Sequence, residues 1–325
     1  MNIPEFETIG GQFYPDTSTG YGDIQQTIIN TVIEEVYTYA ENLTQYGYKL
    51  HSKSQVPAGS FNPYPNNLFF AFEGRENNLF LSFNPSAHVT KIIAAPKTDL
   101  PSPTTPIDKK IVTPSFTQYP VTQGLRYIIQ LANGNFIMVD GGTYYENDMQ
   151  GIYDFLKSKS LTDIPVIENW FFTHPDYDHI ELATHFIKDY LGQVEILAFT
   201  YQFCNVDIIS SRQVATYERG RKDIVALENA ISLRKNAKIY TPHRGQTFYY
   251  NGLNIVMLWT CEDLYPYPLD NFNQTSLAFK INFESGKTAL ILGDCMHESC
   301  KEIALAYYEY LKCDWLQVTH HGVIG

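Results

Sequence analysis

Short apolar runs closed by Gly, Asn or Pro dominate the chain, and stretches with helical spacing interrupt them. The first such stretch, from Asp23 to about Gln45, carries Ile24, Ile28, Ile29, Val32, Ile33, Val36 and Tyr37, which predicts a helix with one apolar stripe. Strands are predicted over 67–72, 79–83 and 89–94, with a polar turn from Glu73 to Asn78 joining the first two. Then the pattern stops. Residues 96–107, PKTDLPSPTTPI, contain four prolines and no period. The expected organisation is a small α+β domain over 1–95, a Pro-rich linker over 96–112 and a second domain over 113–325.

In that second part, apolar runs at 125–131 and 136–139 flank Asn133-Gly134. Asn-Gly between apolar runs predicts a hairpin with a type I′ turn, in which both central residues take positive φ. Two further hairpins are predicted, 247–250 with 253–259 around Asn251-Gly252, and 276–283 with 288–292 around Glu284 to Lys287. Helices are expected over 144–157, 180–191, 214–234 and 297–311. Further strands are expected over 166–172, 194–200 and 315–318. Strands in hairpins, broken by helices that return to the sheets, imply a layered α/β protein with mixed sheets.

Composition adds bounds. At 44% hydrophobic and 14% aromatic residues the chain can bury a large core, which argues against disorder. A net charge of −12 disfavours long nucleic acid as a partner, since phosphate binding needs clustered Lys and Arg. A small-molecule substrate fits better. No apolar stretch approaches the roughly 20 residues that cross a bilayer, so no membrane association is expected. The start MNIPEFETIGG lacks a basic region followed by an apolar core, and the cysteines at 204, 261, 295, 300 and 313 form no CxxC pair. Reduced thiols and a cytoplasmic location are the expectation.

The chemistry concentrates where strands end. Residues 171–186, FFTHPDYDHIELATHF, place His174, Asp176, Asp178 and His179 directly after an apolar strand. ALILGDCMH does the same with Asp294, DWLQVTHHGVIG with His320 and His321, and NFIMVDGG with Asp140. Strands that stop at one sheet edge deliver their terminal residues to a common place. Two divalent cations need imidazoles, carboxylates and a bridging oxygen, and His174, Asp176, Asp178, His179, Asp294 and His321 supply three nitrogens and three carboxylates. Asp140 is expected to be structural, accepting backbone N–H bonds beneath the loop. His243, His185 and His297 are expected to play no ligand role. Adjacent in a strand-like conformation, His320 and His321 would point to opposite sides, with His321 the ligand.

These motifs resemble the metallo-β-lactamase fold superfamily: Asp140-Gly141-Gly142, then Thr173-His174-Pro175-Asp176-Tyr177-Asp178-His179, Gly293-Asp294 and His320-His321-Gly322, in that order. The match runs from about 120 to 325. It looks closer to the branch containing the hydrolase domain of bacterial DNA-uptake channel proteins, whose NNxSL segment is similar to Asn273 to Leu277 here. Gln274 stands where the superfamily has a third-motif His, and Glu181-Leu182 where the branch has Gly-Gly. The resemblance implies a four-layer αββα sandwich after the α+β N-terminal domain, with the C-terminal end of the fold incomplete.

It also implies a metal-dependent hydrolase that uses a metal-bound hydroxide, with a phosphoester as preferred substrate. Acyl, lactone or thioester hydrolysis and a non-catalytic metal-binding module are the alternatives. Asp294 would bridge two divalent ions, zinc or manganese, with iron open. Asp178 would hold one ion and orient the attacking oxygen, and His320 would serve the oxyanion or leaving group. Asp140, Thr173 and Gln274 would support the ligands from outside. The His174/Asp176 side has fewer donors and is expected to bind its ion more weakly.

Overall fold

The computed structural model describes residues 2–20, 22–59, 66–107, 109–206, 214–264 and 269–323, except the side chains of 146–147 and 214–217. The first part is a six-stranded antiparallel sheet, in the order β1-β2-β6-β5-β4-β3. Its strands are β1 (Gln12–Phe13), β2 (Ile24–Ile29), β3 (Lys49–Pro57), β4 (Asn66–Glu73), β5 (Asn77–Asn84) and β6 (Val89–Pro96). The helix α1 (Ile33–Asn42) lies on one face.

The predicted helix from Asp23 is therefore corrected. Its first half is β2, paired with β6 from Ile24↔Ala94 to Ile29↔Val89. The β-branched run Thr27-Ile28-Ile29 favours a pleated strand over a helix, and Asn30 at φ 60 turns the chain before α1 begins. Strand β3 was not foreseen. Its outer residues are polar and mostly exposed, so the sequence shows no apolar period there. The continuous apolar run of β4 has a physical reason. Leu68, Phe70 and Phe72 pack toward α1, while Phe69 and Ala71 face the opposite side with Phe80 and Ile93, so both faces are covered.

After residues 97–107 and 109–114, which hold no regular element, two sheets pack face to face. One runs β13-β12-β10-β9-β8-β7 with the short β11 beside β10. It comprises β7 (Ser115–Gln118), β8 (Tyr127–Gln130), β9 (Phe136–Val139), β10 (Val166–Phe171), β11 (Glu195–Ile196), β12 (Ala198–Thr200) and β13 (Lys238–Tyr240). From β9 to β13 the strands are parallel, so their C-terminal ends line one edge. The other sheet runs β14 (Thr247–Tyr250), β15 (Leu253–Trp259), β16 (Ala278–Phe283), β17 (Thr288–Ile291) and β18 (Trp315–Leu316) in order, antiparallel until the last pair.

Ile129, Val139 and Phe171 of the first sheet meet Ile255, Met257, Phe279 and Ile291 of the second in one buried core. Helices α2 (Glu146–Lys159), α3 (Tyr177–Asp189) and α4 (Val214–Ser232) cover the outer face of the mixed sheet, and α5 (His297–Tyr307) lies against β15. The order is helix, sheet, sheet, helix, a four-layer α/β sandwich.

The hairpins form at the expected places, but their turns differ. Only the glycine is at positive φ, 90° at Gly134 and 92° at Gly252, whereas type I′ needs two such residues. At the first turn the Asn133 carboxamide oxygen accepts from Asn135 N at 3.1 Å, and this side-chain bond holds the asparagine in an ordinary conformation. The predicted strand at 194–200 is split into β11 and β12, which pair with β10 in separate registers.

Candidate metal centre

Strand β10 ends at Phe171, and the next residues form the loop that carries the site. Asp140, the residue after β9, is fully buried at φ 51 and holds this loop from below. Its carboxylate accepts from Thr173 N (2.7 Å), Thr173 Oγ1 (2.7 Å) and His179 Nδ1 (2.8 Å). The last bond fixes the His179 tautomer: Nδ1 carries the proton, and Nε2 is free with its lone pair aimed away from Asp140. The sequence reading gives Asp140 this supporting place.

Helix α3 starts immediately after the loop. Asp176 sits at its N-cap position in an extended conformation, yet its side chain caps nothing. It lies instead 3.5 Å from His174 Nε2. Within the first turn, Asp178 reaches a different partner, its Oδ2 lying 3.4 Å from His321 Nε2. The short loop thus divides its carboxylates between two sides, with His174 and His179 between them at 4.0 Å ring separation.

Asp294 enters from the second sheet. Gly293, at φ 54, packs so closely that a Cβ there would stand 3.0–3.1 Å from the Thr173 and Ser276 side chains. The Ser276 hydroxyl accepts from Asp294 N at 3.0 Å. Asp294 Oδ1 then lies 3.4 Å from His179 Nε2, and Oδ2 lies 3.9 Å from His174 Nε2 and 3.2 Å from His321 Nε2. It is the one carboxylate that reaches both halves of the cluster.

The six predicted ligands therefore lie together, Asp176 beside His174, Asp178 beside His321, and Asp294 within 3.9 Å of His174, His179 and His321. Two triads among them, His174/His179/Asp294 and Asp178/His179/His321, each bring one donor atom per residue within 4.8 Å of one another. His174 Nε2, His179 Nε2 and Asp294 Oδ1 are buried and have no hydrogen-bond partner among the described residues. Buried polar atoms are normally paired, so acceptors that face one another at these separations fit a cation between them. The donor set, imidazole and carboxylate without thiolate, suits divalent ions.

Electrostatics agree. Burial works against the charged His179 ring, but Asp140 and Asp294 outweigh it and hold its pKa well above the ordinary value. Hydrogen bonds to Asp178 and Asp294 raise His321 to about 9. Burial opposes ionisation of Asp294 and Asp178, yet the neighbouring imidazoles keep both carboxyls below the usual range.

Two expectations need correction. His320 and His321 are not strand-like. Both are left-handed, at φ 49 and 52, because the chain turns sharply after Val318 with His320 N bonded to Gly293 O. They still diverge: His321 faces the cluster, while His320 Nε2 accepts from Asn273 Nδ2 at 3.3 Å. Gln274 does not support the ligands. Its Oε1 accepts from Asp270 N at 2.7 Å, in a turn capped by the Asn271 side chain, so the contact to His320 falls to Asn273. Asn273 lies inside the motif segment, but its role could not be told from that of its neighbour by spacing alone.

Two further residues went unread. Gln123 Nε2 reaches Asp178 Oδ2 at 3.4 Å, and the Arg219 guanidinium lies 3.6 Å from the centre of the Tyr177 ring. Neither carries a local sequence mark.

No protein-family model matches the chain, and no curated protein does. Solved structures do. One is a candidate metallo-beta-lactamase from Thermotoga maritima, 16% identical, covering 55% of this chain and 75% of that one at a TM-score of 0.34. Another is the protein YhfI from Bacillus subtilis, 12% identical, covering 52% of this chain and 54% of that one at 0.31. A third is the short form of human tRNase Z, 14% identical, covering 62% and 75% at 0.30. The structures it resembles are metallo-beta-lactamase fold proteins. At such identities, and at TM-scores below 0.5, the likeness assigns no activity to this chain. The branch containing DNA-uptake proteins rests on the sequence motifs alone.

Proposed function

We propose that the chain is a hydrolase that holds two divalent cations, with a phosphoester as substrate. The observation that carries this is the set of buried, unpartnered donor atoms His174 Nε2, His179 Nε2 and Asp294 Oδ1, ringed by Asp176, Asp178 and His321. Asp294, within 3.9 Å of His174, His179 and His321, would be shared between the ions. Bound divalent ions would supply Lewis acidity, lowering the pKa of water toward 7 and neutralising charge on the substrate.

The residues divide the remaining work. Asp140 and Thr173 hold His179 and His174 in their tautomers, Thr173 Oγ1 lying 3.1 Å from His174 Nδ1. Asp178, steadied by Gln123, is placed to accept a proton from an attacking oxygen. With Nε2 accepting from Asn273, His320 carries its ring proton on Nδ1, which is buried without a partner among the described residues and could serve a leaving group only where substrate binding uncovers it. The phosphoester is favoured over neutral substrates by Arg219, whose half-exposed guanidinium is stacked on Tyr177 between two ligand positions. A planar guanidinium matches a phosphate by paired hydrogen bonds.

The test is a screen of generic phosphomono- and diesters, lactones and thioesters with zinc, manganese or iron. Turnover of a phosphoester, abolished by chelator and by Asp178→Ala, supports the reading. Turnover of lactone or thioester alone removes the phosphoester. Bound metal with no turnover of any class leaves a binding module.

A further inference from the structure

Strands β10, β12 and β13 end side by side, and only β10 leads into the metal loop. The segments after β12 and β13, 201–203 and 241–243, line a separate cavity of about 280 Å³, closed by the N-terminal sheet and the 98–101 linker. None of its lining residues is a candidate metal ligand.

The cavity contains a built polar group. His243 is buried and stacks on Phe80 of β5 with ring centroids 3.7 Å apart. Its Nδ1 lies 2.9 Å from Glu262 Oε1, and Gln202 Nε2 donates to that same carboxylate oxygen. Those two bonds set the orientation of both side chains. With Nδ1–H toward Glu262, His243 presents Nε2 as an acceptor, and with its amide nitrogen toward Glu262, Gln202 presents Oε1. Both atoms are buried and neither has a partner. At the mouth stands Glu228 of α4, with no hydrogen bond or ion pair among the described residues.

The charge is one-sided. Asp23, Asp99, Glu228 and Glu262 line the cavity and no Lys or Arg does. Asp23 is consumed by Thr19, Ser18 and Gln25, Glu262 by Gln202 and His243, and Asp99 lies 3.9 Å from Lys238, so Glu228 is the lining carboxylate left without a partner among the described residues. Tyr201, Phe203 and Tyr240 supply aromatic walls.

We infer that this cavity binds a small organic amine in its ammonium form. An ammonium has three donors and no acceptor, and the cavity offers His243 Nε2, Gln202 Oε1 and the Glu228 carboxylate as acceptors that have no partner among the described residues. The aromatic walls suit its carbon body and the cation itself. A carboxylic acid would meet like charge, and a neutral alcohol would leave two of the three acceptors unpaired. The site spans the N-terminal sheet, the linker and the sandwich, so its occupant binds the two parts of the chain together.

The experiment is isothermal titration of the full chain with three probes of matched shape, phenethylamine, phenylethanol and phenylpropionate, repeated with Glu228→Gln, Gln202→Leu and Asp178→Ala. The expected result is saturable binding of the amine alone. It should weaken about tenfold in Glu228→Gln, a surface helix position that leaves the fold intact, and stay unchanged in Asp178→Ala. Gln202→Leu should weaken it as well. Equal binding of the alcohol or the acid would overturn the inference. So would an amine affinity indifferent to Glu228→Gln, or no saturation up to about 10 mM, the behaviour of a cavity filled by water only.

Discussion

Asp140 is where a single atom decides the site. Its carboxylate accepts from both Thr173 and His179 Nδ1. In Asp140→Asn one oxygen becomes an NH₂, which cannot accept from an N–H. His179 would move its proton to Nε2 and lose the lone pair that faces Asp294. Metal affinity should fall by about 10- to 100-fold while the chain still folds. Competition with a chromophoric chelator measures this, and an unchanged affinity would show that Asp140 does not set the tautomer.

Protonation offers a second residue-scale test. In the metal-free protein the raised pKa values of His179 and His321 contribute stability that is present below the unfolded pKa of about 6.5 and is lost as pH rises, through about 9 for His321. The lowered Asp178 and Asp294 contribute stability present above about 4 and lost on acidification. Melting of the chelated protein should therefore fall by a few degrees between pH 6.5 and 9, and bound metal should abolish that fall because it replaces the proton. A melting temperature that rises over that interval without metal contradicts the assigned charges. Most of these residues were legible in the chain, because a strand followed at once by His and Asp is rare without a ligand. Asn273 and Gln123 were not, since a single amide in a loop shows its partner only after folding.

At the scale of elements, the site depends on how closely α3 begins behind β10. Gly124, at φ 97, lies under the first turn of that helix, and a Cβ there would stand 1.5 Å from Asp178 O. Gly124→Ala must push Asp178 toward His321 or unfold the turn. A loss of about 2 kcal/mol or more is expected, with weaker metal binding, both read from denaturation and chelator titration. Wild-type stability would mean that the 122–124 turn does not support the loop. Element identity in the sandwich was readable because apolar runs and turn residues alternate there. It failed in β2, whose Ile24, Ile28 and Ile29 line up with Val32, Ile33, Val36 and Tyr37 in a helical stripe while the β-branched run pairs with β6, and in β3, which is mostly polar and exposed and pairs with β4.

Across the whole molecule, the N-terminal sheet is a structural partner of the sandwich and adds no residue to the metal cluster among the described residues. Phe69 and Phe80 pack beside His243, Asn67 Nδ2 donates to Ala306 O at 3.2 Å, and Lys91 donates to the Glu262 carbonyl. Proteolysis within 96–112 should then leave two fragments that co-elute on gel filtration, and separate elution would show the contacts to be weak. Among the described residues no helix is long and apolar enough to cross a membrane. The claim on which the function rests is the pairing of ligands around two ions. Anomalous diffraction at a metal edge tests it most directly, scored separately at each position. The account predicts one peak among Asp178, His179, His321 and Asp294, and a second, less occupied peak beside His174, Asp176 and Asp294. No peak within bonding distance of Asp294, or occupancy on the His174 side alone, would contradict it.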